Sequence, residues 1–264
     1  MPRCVCWNLL TNYKLRVAYR GTGFCGSQFQ PNKKTIEGEL RLALSVLHKE
    51  FIKIVFAGRT DAGVHAEGQS ISYMSKTFIP PAGVRLGINS LLPDDIKVLE
   101  VEVVPLTFNA RKHAISREYK YSFTQEEVPL FLYDWVSRVS FKIDEEKIAT
   151  LLRIIEGTHN FRAFKNLGSK EQSDIKTILS AKIVKNDVEH FFKRGSTISI
   201  FEVSIIGHSF LYRMVRNLMG AMFEVLKKKQ SVENFSEMLN NARRSYVYSA
   251  AEAKGLSLIN VNYA

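Results

Sequence analysis

The segment Gly58-Arg59-Thr60-Asp61-Ala62-Gly63-Val64-His65-Ala66 holds the residues best placed to do chemistry. Asp61 is a single carboxylate flanked by glycines, with a cation, Arg59, two residues before it. Asp and Gly are ordinary turn residues, so a solvated turn is the simpler reading. The functional reading is a carboxylate at a loop tip. Arg59, or an arginine distant in sequence, would keep it ionised and fix its direction. An ionised, oriented carboxylate can act as a nucleophile or as a base.

Other motifs point away from cofactor chemistry. Gly21-Thr22-Gly23-Phe24-Cys25-Gly26 has the form G-x-G-x-x-G. A dinucleotide site would need a helix opening at once and an acidic residue about 20 positions on. Here the helix signal starts only near Thr35, and Ser45, Val46 and Leu47 occupy the place of the acid. No H-R-D or D-F-G follows, which removes a kinase reading. The segment reads as a turn whose glycines permit unusual backbone angles. Cys4, Cys6 and Cys25 are few, odd in number and clustered early, as expected of reduced thiols. Cys4-x-Cys6 lacks the second pair that a tetrahedral metal site needs. His48, His65, His113, His159, His190 and His208 stand apart, each a surface or packed residue. No metal and no cofactor are expected.

These residues need elements to position them. Tyr13, Leu15, Val17 and Tyr19 alternate with polar residues, as in a half-buried strand. Thr35 caps a helix marked by Ile36, Leu40, Leu44 and Leu47. Phe51 to Ala57 and Gln69 to Met74 read as strands, Val84 to Leu92 as a helix, and Ile96 to Val104 as a strand. The second half repeats the order. A strand lies at Tyr119, Tyr121 and Phe123, and a helix at Ile148, Leu151, Leu152 and Ile155. Strands follow near Thr177 to Lys185 and Ile198 to Ile206. A long apolar helix from Phe210 to Leu226, a smaller one from Val232 to Asn241 and a strand from Leu256 to Val261 complete it. The expected class is α+β: two ferredoxin-like βαββαβ units with mainly antiparallel sheets flanking a basic cleft. The units are expected at residues 1–108 and 109–264.

Among 264 residues, 37 Lys plus Arg oppose 26 Asp plus Glu, a formal net charge of +11. Residues up to Ala110 carry 13 basic against 9 acidic groups, and the remainder 24 against 17. The excess is therefore not a basic tail. A broadly basic chain fits a polyanion such as RNA, bound through its phosphates. There is no apolar run long enough to cross a bilayer. Met1 to Trp7 has no long apolar stretch of a signal peptide, so a cytoplasmic protein is expected.

The Asp61 loop resembles the signature loop of the TruA-type tRNA pseudouridine synthases, and the likeness extends along nearly the whole chain. Tyr19-Arg20-Gly21 through Gln28-Phe29-Gln30 resembles the family's opening motif. Phe108-Asn109-Ala110-Arg111, Arg117-Glu118-Tyr119-Lys120-Tyr121, Gly157 to Phe161, Met214-Val215-Arg216-Asn217 and Lys254 to Leu258 resemble later blocks in the same order. Ser27 departs from the pattern, standing where the family usually has Trp. Ser173 to Thr177 and Ala251-Glu252-Ala253 depart as well.

The resemblance implies isomerisation of uridine to pseudouridine at positions 38–40 of the tRNA anticodon arm, without cofactor or metal. It implies that Asp61 is the essential carboxylate, with attack on sugar and on base both open. Arg216 would pair with Asp61. Tyr119 would stack on or orient the flipped uracil and is a candidate base for the C5 proton. Arg59, Arg111, Lys112, Arg117, Lys120 and Arg213 are the implied phosphate contacts, tRNA the partner, and a homodimer the assembly. Two other readings compete: a tandem ferredoxin-like RNA-binding protein without chemistry, and a nucleotide-dependent oxidoreductase.

Overall fold

The structure is a computed structural model that describes residues 10–166, 173–189 and 197–264. Cys4, Cys6, His190 and the N-terminal segment Met1 to Trp7 lie outside the described residues. The chain forms two compact units, one of residues 1–115 with 260–264 and the other of residues 116–259. Both are mixed α/β with mainly antiparallel strand pairing.

The first unit runs β1 (Thr11–Tyr19), α1 (Ile36–His48), β2 (Ile54–Phe56), β3 (His65–Ser75), α2 (Pro81–Asn89) and β4 (Ile96–Val104). β1 lies between β4 and β3, antiparallel to both, and β2 pairs with the far side of β3. Tyr13, Leu15, Val17 and Tyr19 point to one face of β1 and are all buried, as their alternation requires. The α1 start is set by Thr35, whose hydroxyl accepts the Gly38 N–H, a cap worth about 1 kcal/mol. Glu37 and Glu39 in the first turn favour the positive end of the helix dipole.

Several boundaries differ from the expected ones. β2 shrinks to three residues. β3 starts four residues early, at His65, because nine of its eleven residues are buried and the polar alternation that would mark a strand is missing. α2 starts at Pro81, a residue suited to the first helical position, and ends at Asn89.

The second unit runs β5 (Ser116–Thr124), β6 (Ser137–Arg138), α3 (Glu145–Ile155), β7 (Gly157–Asn160), β8 (Ile175–Glu189), β9 (Thr197–Gly207), α4 (Met214–Leu226), α5 (Val232–Asn240) and the first residues of β10 (Leu256–Asn262), whose end from Asn260 belongs to the first unit. β5, β9, β8 and β7 are consecutive and antiparallel, and β6 adds a short parallel pairing to β5. Neither β6 nor β7 is marked in the sequence, being two and four residues long. The buried rings of Tyr121 and Phe123 on β5 meet Phe223 of α4. The long helix does not begin at Phe210. Arg213 adopts φ 61°, a left-handed conformation, and the helix starts at Met214. Arg216 accordingly sits in the first turn and not in mid-helix.

A polar cluster closes the first unit beside α1. The buried His48 ring places Nε2 3.0 Å from the Tyr73 hydroxyl and Nδ1 2.8 Å from the Ser75 hydroxyl. That hydroxyl also lies 2.6 Å from Glu50 Oε1. Burial lowers the His48 pKa, against an upward pull from the Thr77 carbonyl and Glu50. The Ser75 hydrogen bond holds Glu50 below its usual range, with burial opposing it and the Lys76 and Thr77 N–H groups assisting. The folded state thus binds the His48 proton less readily than the unfolded chain. The stability from this group is complete above the ordinary value of 6.5 and is lost as pH falls below it. Glu50 acts in the same direction in a lower window, from 4.5 downward. In thermal melts between about pH 7 and pH 5, His48→Gln is expected to lose less stability than the wild type. Equal slopes would show that His48 is not the group responsible.

Candidate active site

The loop from Gly58 to Val64 leaves β2 and enters β3, and Asp61 sits half-buried within it. The loop is held by a second one, residues 20–35, which leaves β1. Thr60 is the anchor between them. Its N–H donates to the Ser27 hydroxyl at 2.8 Å, and its carbonyl accepts the Ser27 N–H at 3.0 Å. Its own hydroxyl lies 2.8 Å from the Tyr19 hydroxyl. Gln69 of β3 donates to the Gly58 carbonyl at 2.8 Å and to the Tyr19 hydroxyl at 3.3 Å. Burial pushes the Tyr19 pKa up to about 12, against a downward pull from Thr60 and Gln69, so the phenol keeps its proton.

Two glycines of the G-x-G-x-x-G segment permit this contact. Gly26 has φ +92°, and a Cβ there would stand 3.0 Å from the Thr60 carbonyl oxygen and 3.3 Å from the Ala62 nitrogen. A Cβ on Gly21 would overlap the Val64 carbonyl. Gly21 also donates its N–H to His65 Nδ1 at 3.1 Å. The segment is therefore a backbone clamp on the Asp61 loop. His65, fully buried, belongs to that clamp.

The expected site residues of the second unit gather around β5 and the start of α4. Tyr119 is 8% exposed and meets the Phe210 ring edge-to-face at 5.0 Å. Arg117, on the same face of β5, is equally buried and donates Nη1 to the His208 carbonyl at 2.6 Å. The segment 208–210 is thus fastened to β5 at both residues. Arg216 donates Nε to the Ala251 carbonyl at 2.8 Å, and its own carbonyl accepts the Ala251 N–H at 2.9 Å. This reciprocal pair fixes the Nε end of the Arg216 guanidinium against the backbone of residue 251. Arg213, at the α4 cap, lies over the Tyr212 ring at 5.3 Å.

The remaining expected residues are Lys120 on β5 and three residues of the first unit. Lys120 points to the opposite face of β5 and pairs with Glu202 at 3.1 Å. Arg59 is exposed within the Asp61 loop. Arg111 and Lys112 are exposed in a turn whose N–H groups both bond Asn109 Oδ1. Sequence reasoning passes over Tyr19, Thr60, Gln69 and Phe210 as site residues, and sees in Ser27 only a departure from the family pattern. The available signal was a run of side-chain hydroxyls and amides at positions that otherwise read as core.

The model of the tRNA pseudouridine synthase family matches residues 16–111 and 151–264. The tRNA pseudouridine synthase A of Anoxybacillus flavithermus is 34% identical, covering 95% of this chain and 98% of its own. That of Borrelia duttonii is 36% identical, covering 94% and 97%. A chain of a solved Cbf5-Nop10-Gar1 complex covers 93% of this chain at 11% identity and a TM-score of 0.34, too low to inform the fold. The chain belongs to the tRNA pseudouridine synthase family. Its match spans both units, the Asp61 loop in the first and α4 in the second.

The clamp makes a contrast between glycines. Gly21→Ala forces a methyl group into backbone and is expected to cost about 2–4 kcal/mol of stability. A Cβ on Gly23 meets nothing within 4 Å, so Gly23→Ala is expected to be neutral or to add about 0.4–1 kcal/mol. Denaturant melts of the two variants measure the difference, and equal stabilities would refute the clamp.

Proposed function

We propose that this tRNA pseudouridine synthase isomerises uridine in the anticodon arm, at positions 38–40, with Asp61 as the essential carboxylate. The observation that carries the proposal is the anchoring of Thr60, which fixes a carboxylate on a short loop inside a segment matched by the family model. Fixed geometry is what a reacting carboxylate needs.

The reaction breaks the N1–C1′ bond, turns the uracil and joins C5 to C1′. The C5 proton then leaves and N1 gains one, so atoms and electrons balance without an oxidant or reductant. The base must first leave its stack, at a cost of a few kcal/mol that contacts to the RNA offset. Asp61 serves the step in which the glycosidic bond breaks, by attack on the sugar or on the base. Tyr119 offers a ring face and a phenol to the flipped uracil, braced by Phe210. Arg216 is assigned as the cation that pairs with Asp61, a role suited to a guanidinium whose Nε is already fixed. Arg59, Arg111, Lys112 and Arg213 are assigned to phosphates. Arg117 and Lys120 belong to the same proposal, and their present partners, the His208 carbonyl and Glu202, would have to share them with the RNA.

The finer fold reading is part of the proposal: one ferredoxin-like unit in each half, lying next to a basic RNA-binding surface. In the first unit it is supported by the strand order β4-β1-β3 with β2 outermost. A cytoplasmic homodimer acting on tRNA completes the reading.

An unmodified tRNA transcript carrying tritium at uridine C5 tests it. The wild type is expected to release tritium, and Asp61→Ala to release it at least about a thousandfold more slowly with tRNA binding retained. Arg216→Lys keeps the charge and loses the fork, and is expected to slow release about ten- to a hundredfold. Tight tRNA binding without release from any transcript would favour an RNA-binding protein without chemistry.

A further inference from the structure

Ser27 is 1% exposed, and both of its hydrogen-bonding groups address Thr60. Its hydroxyl takes the N–H of the peptide before Thr60. Its N–H holds the carbonyl of the peptide that joins Thr60 to Asp61. The Tyr19 hydroxyl holds the Thr60 side chain from a third direction. The residue before the carboxylate is therefore fixed at its amide, its carbonyl and its side chain. We propose that the Ser27 hydroxyl is a positioning group for Asp61, fixing the direction in which the carboxylate leaves the loop.

The inference rests on the reading of Asp61 as the reacting carboxylate. It gives position 27 a chemical content in this chain. A tryptophan there has only an indole N–H, a donor, and cannot accept the Thr60 N–H. Serine can, and the positive φ of Gly26 brings the hydroxyl to the loop. Alanine at 27 would keep the backbone contact and remove only the hydroxyl, which accepts the Thr60 N–H at 2.8 Å and donates to the Thr60 carbonyl at 3.4 Å. The peptide before Thr60 is then free to rotate while the rest of the clamp stays.

The test uses single-turnover tritium release from C5-labelled tRNA, filter binding of the same tRNA, and thermal melts. The variants are Ser27→Ala, Tyr19→Phe and the double variant, beside Asp61→Ala. Ser27→Ala is expected to slow release about tenfold, a change of ~1.4 kcal/mol in the barrier, with tRNA affinity within about twofold. Because both side chains act on Thr60, the double variant is expected to lose less than the product of the two single losses. Wild-type release by Ser27→Ala, with Asp61→Ala inactive, would overturn the inference and leave the proposed function standing. Equal losses of rate and affinity would overturn it too, since a positioning group acts on the rate. If Ser27→Ala does not fold, Tyr19→Phe decides: a slowed rate with unchanged affinity supports the inference, and an unchanged rate overturns it. No release by the wild type would instead remove the functional reading on which the inference rests.

Discussion

The first unit is organised around the anchoring of one residue, Thr60. A loop carrying a charged side chain gains little from burial and has ample freedom to move, so something must remove that freedom. Here β1 supplies Tyr19, the following loop supplies Ser27 and β3 supplies Gln69. All three come from the central part of the sheet or the connection that leaves it. The sheet is thus a frame whose rigidity is passed to the loop through hydrogen bonds of ordinary length. Gly21 and Gly26 allow the backbones close enough for those bonds to form.

The second unit solves a similar problem for cationic and aromatic groups. β5 presents Arg117 and Tyr119 on one face, and each fastens part of the segment that leads into α4. The left-handed turn at Arg213 ends that segment and places Arg216 in the first helical turn. Ala251 then restrains Arg216 through a backbone pair that is indifferent to the side chain at position 251.

Much of the architecture was legible in the sequence, because periodicity reports burial directly. The alternation of β1, the Thr35 cap and the apolar stripe of α1 each followed from local rules. The start of α4 did not, since Phe210 and Leu211 continue the apolar run that a helix would show, and only the backbone angle of Arg213 separates them. β3 was read short because a strand buried on both faces loses its alternation. At the site, Asp61 stood out by its type and its flanking glycines. Its support did not. Ser27 and Thr60 are 33 residues apart, and a hydrogen bond from a side chain to a backbone N–H leaves no pattern in residue types. Ser27 for that reason shows in the sequence only as a departure from the family pattern.

The Thr60 support has one more property, which follows from the chemical nature of its members. Its side chains are two aliphatic hydroxyls, an amide and a phenol whose pKa lies at about 12. None of them gains or loses charge between mildly acidic and strongly alkaline solution. The set of hydrogen bonds that holds Thr60 is in this sense electrically silent. An inflection in a rate–pH curve over that range therefore belongs to the reacting groups, to the RNA or to titrating residues elsewhere, and the hydrogen bonds that aim Asp61 contribute none of it.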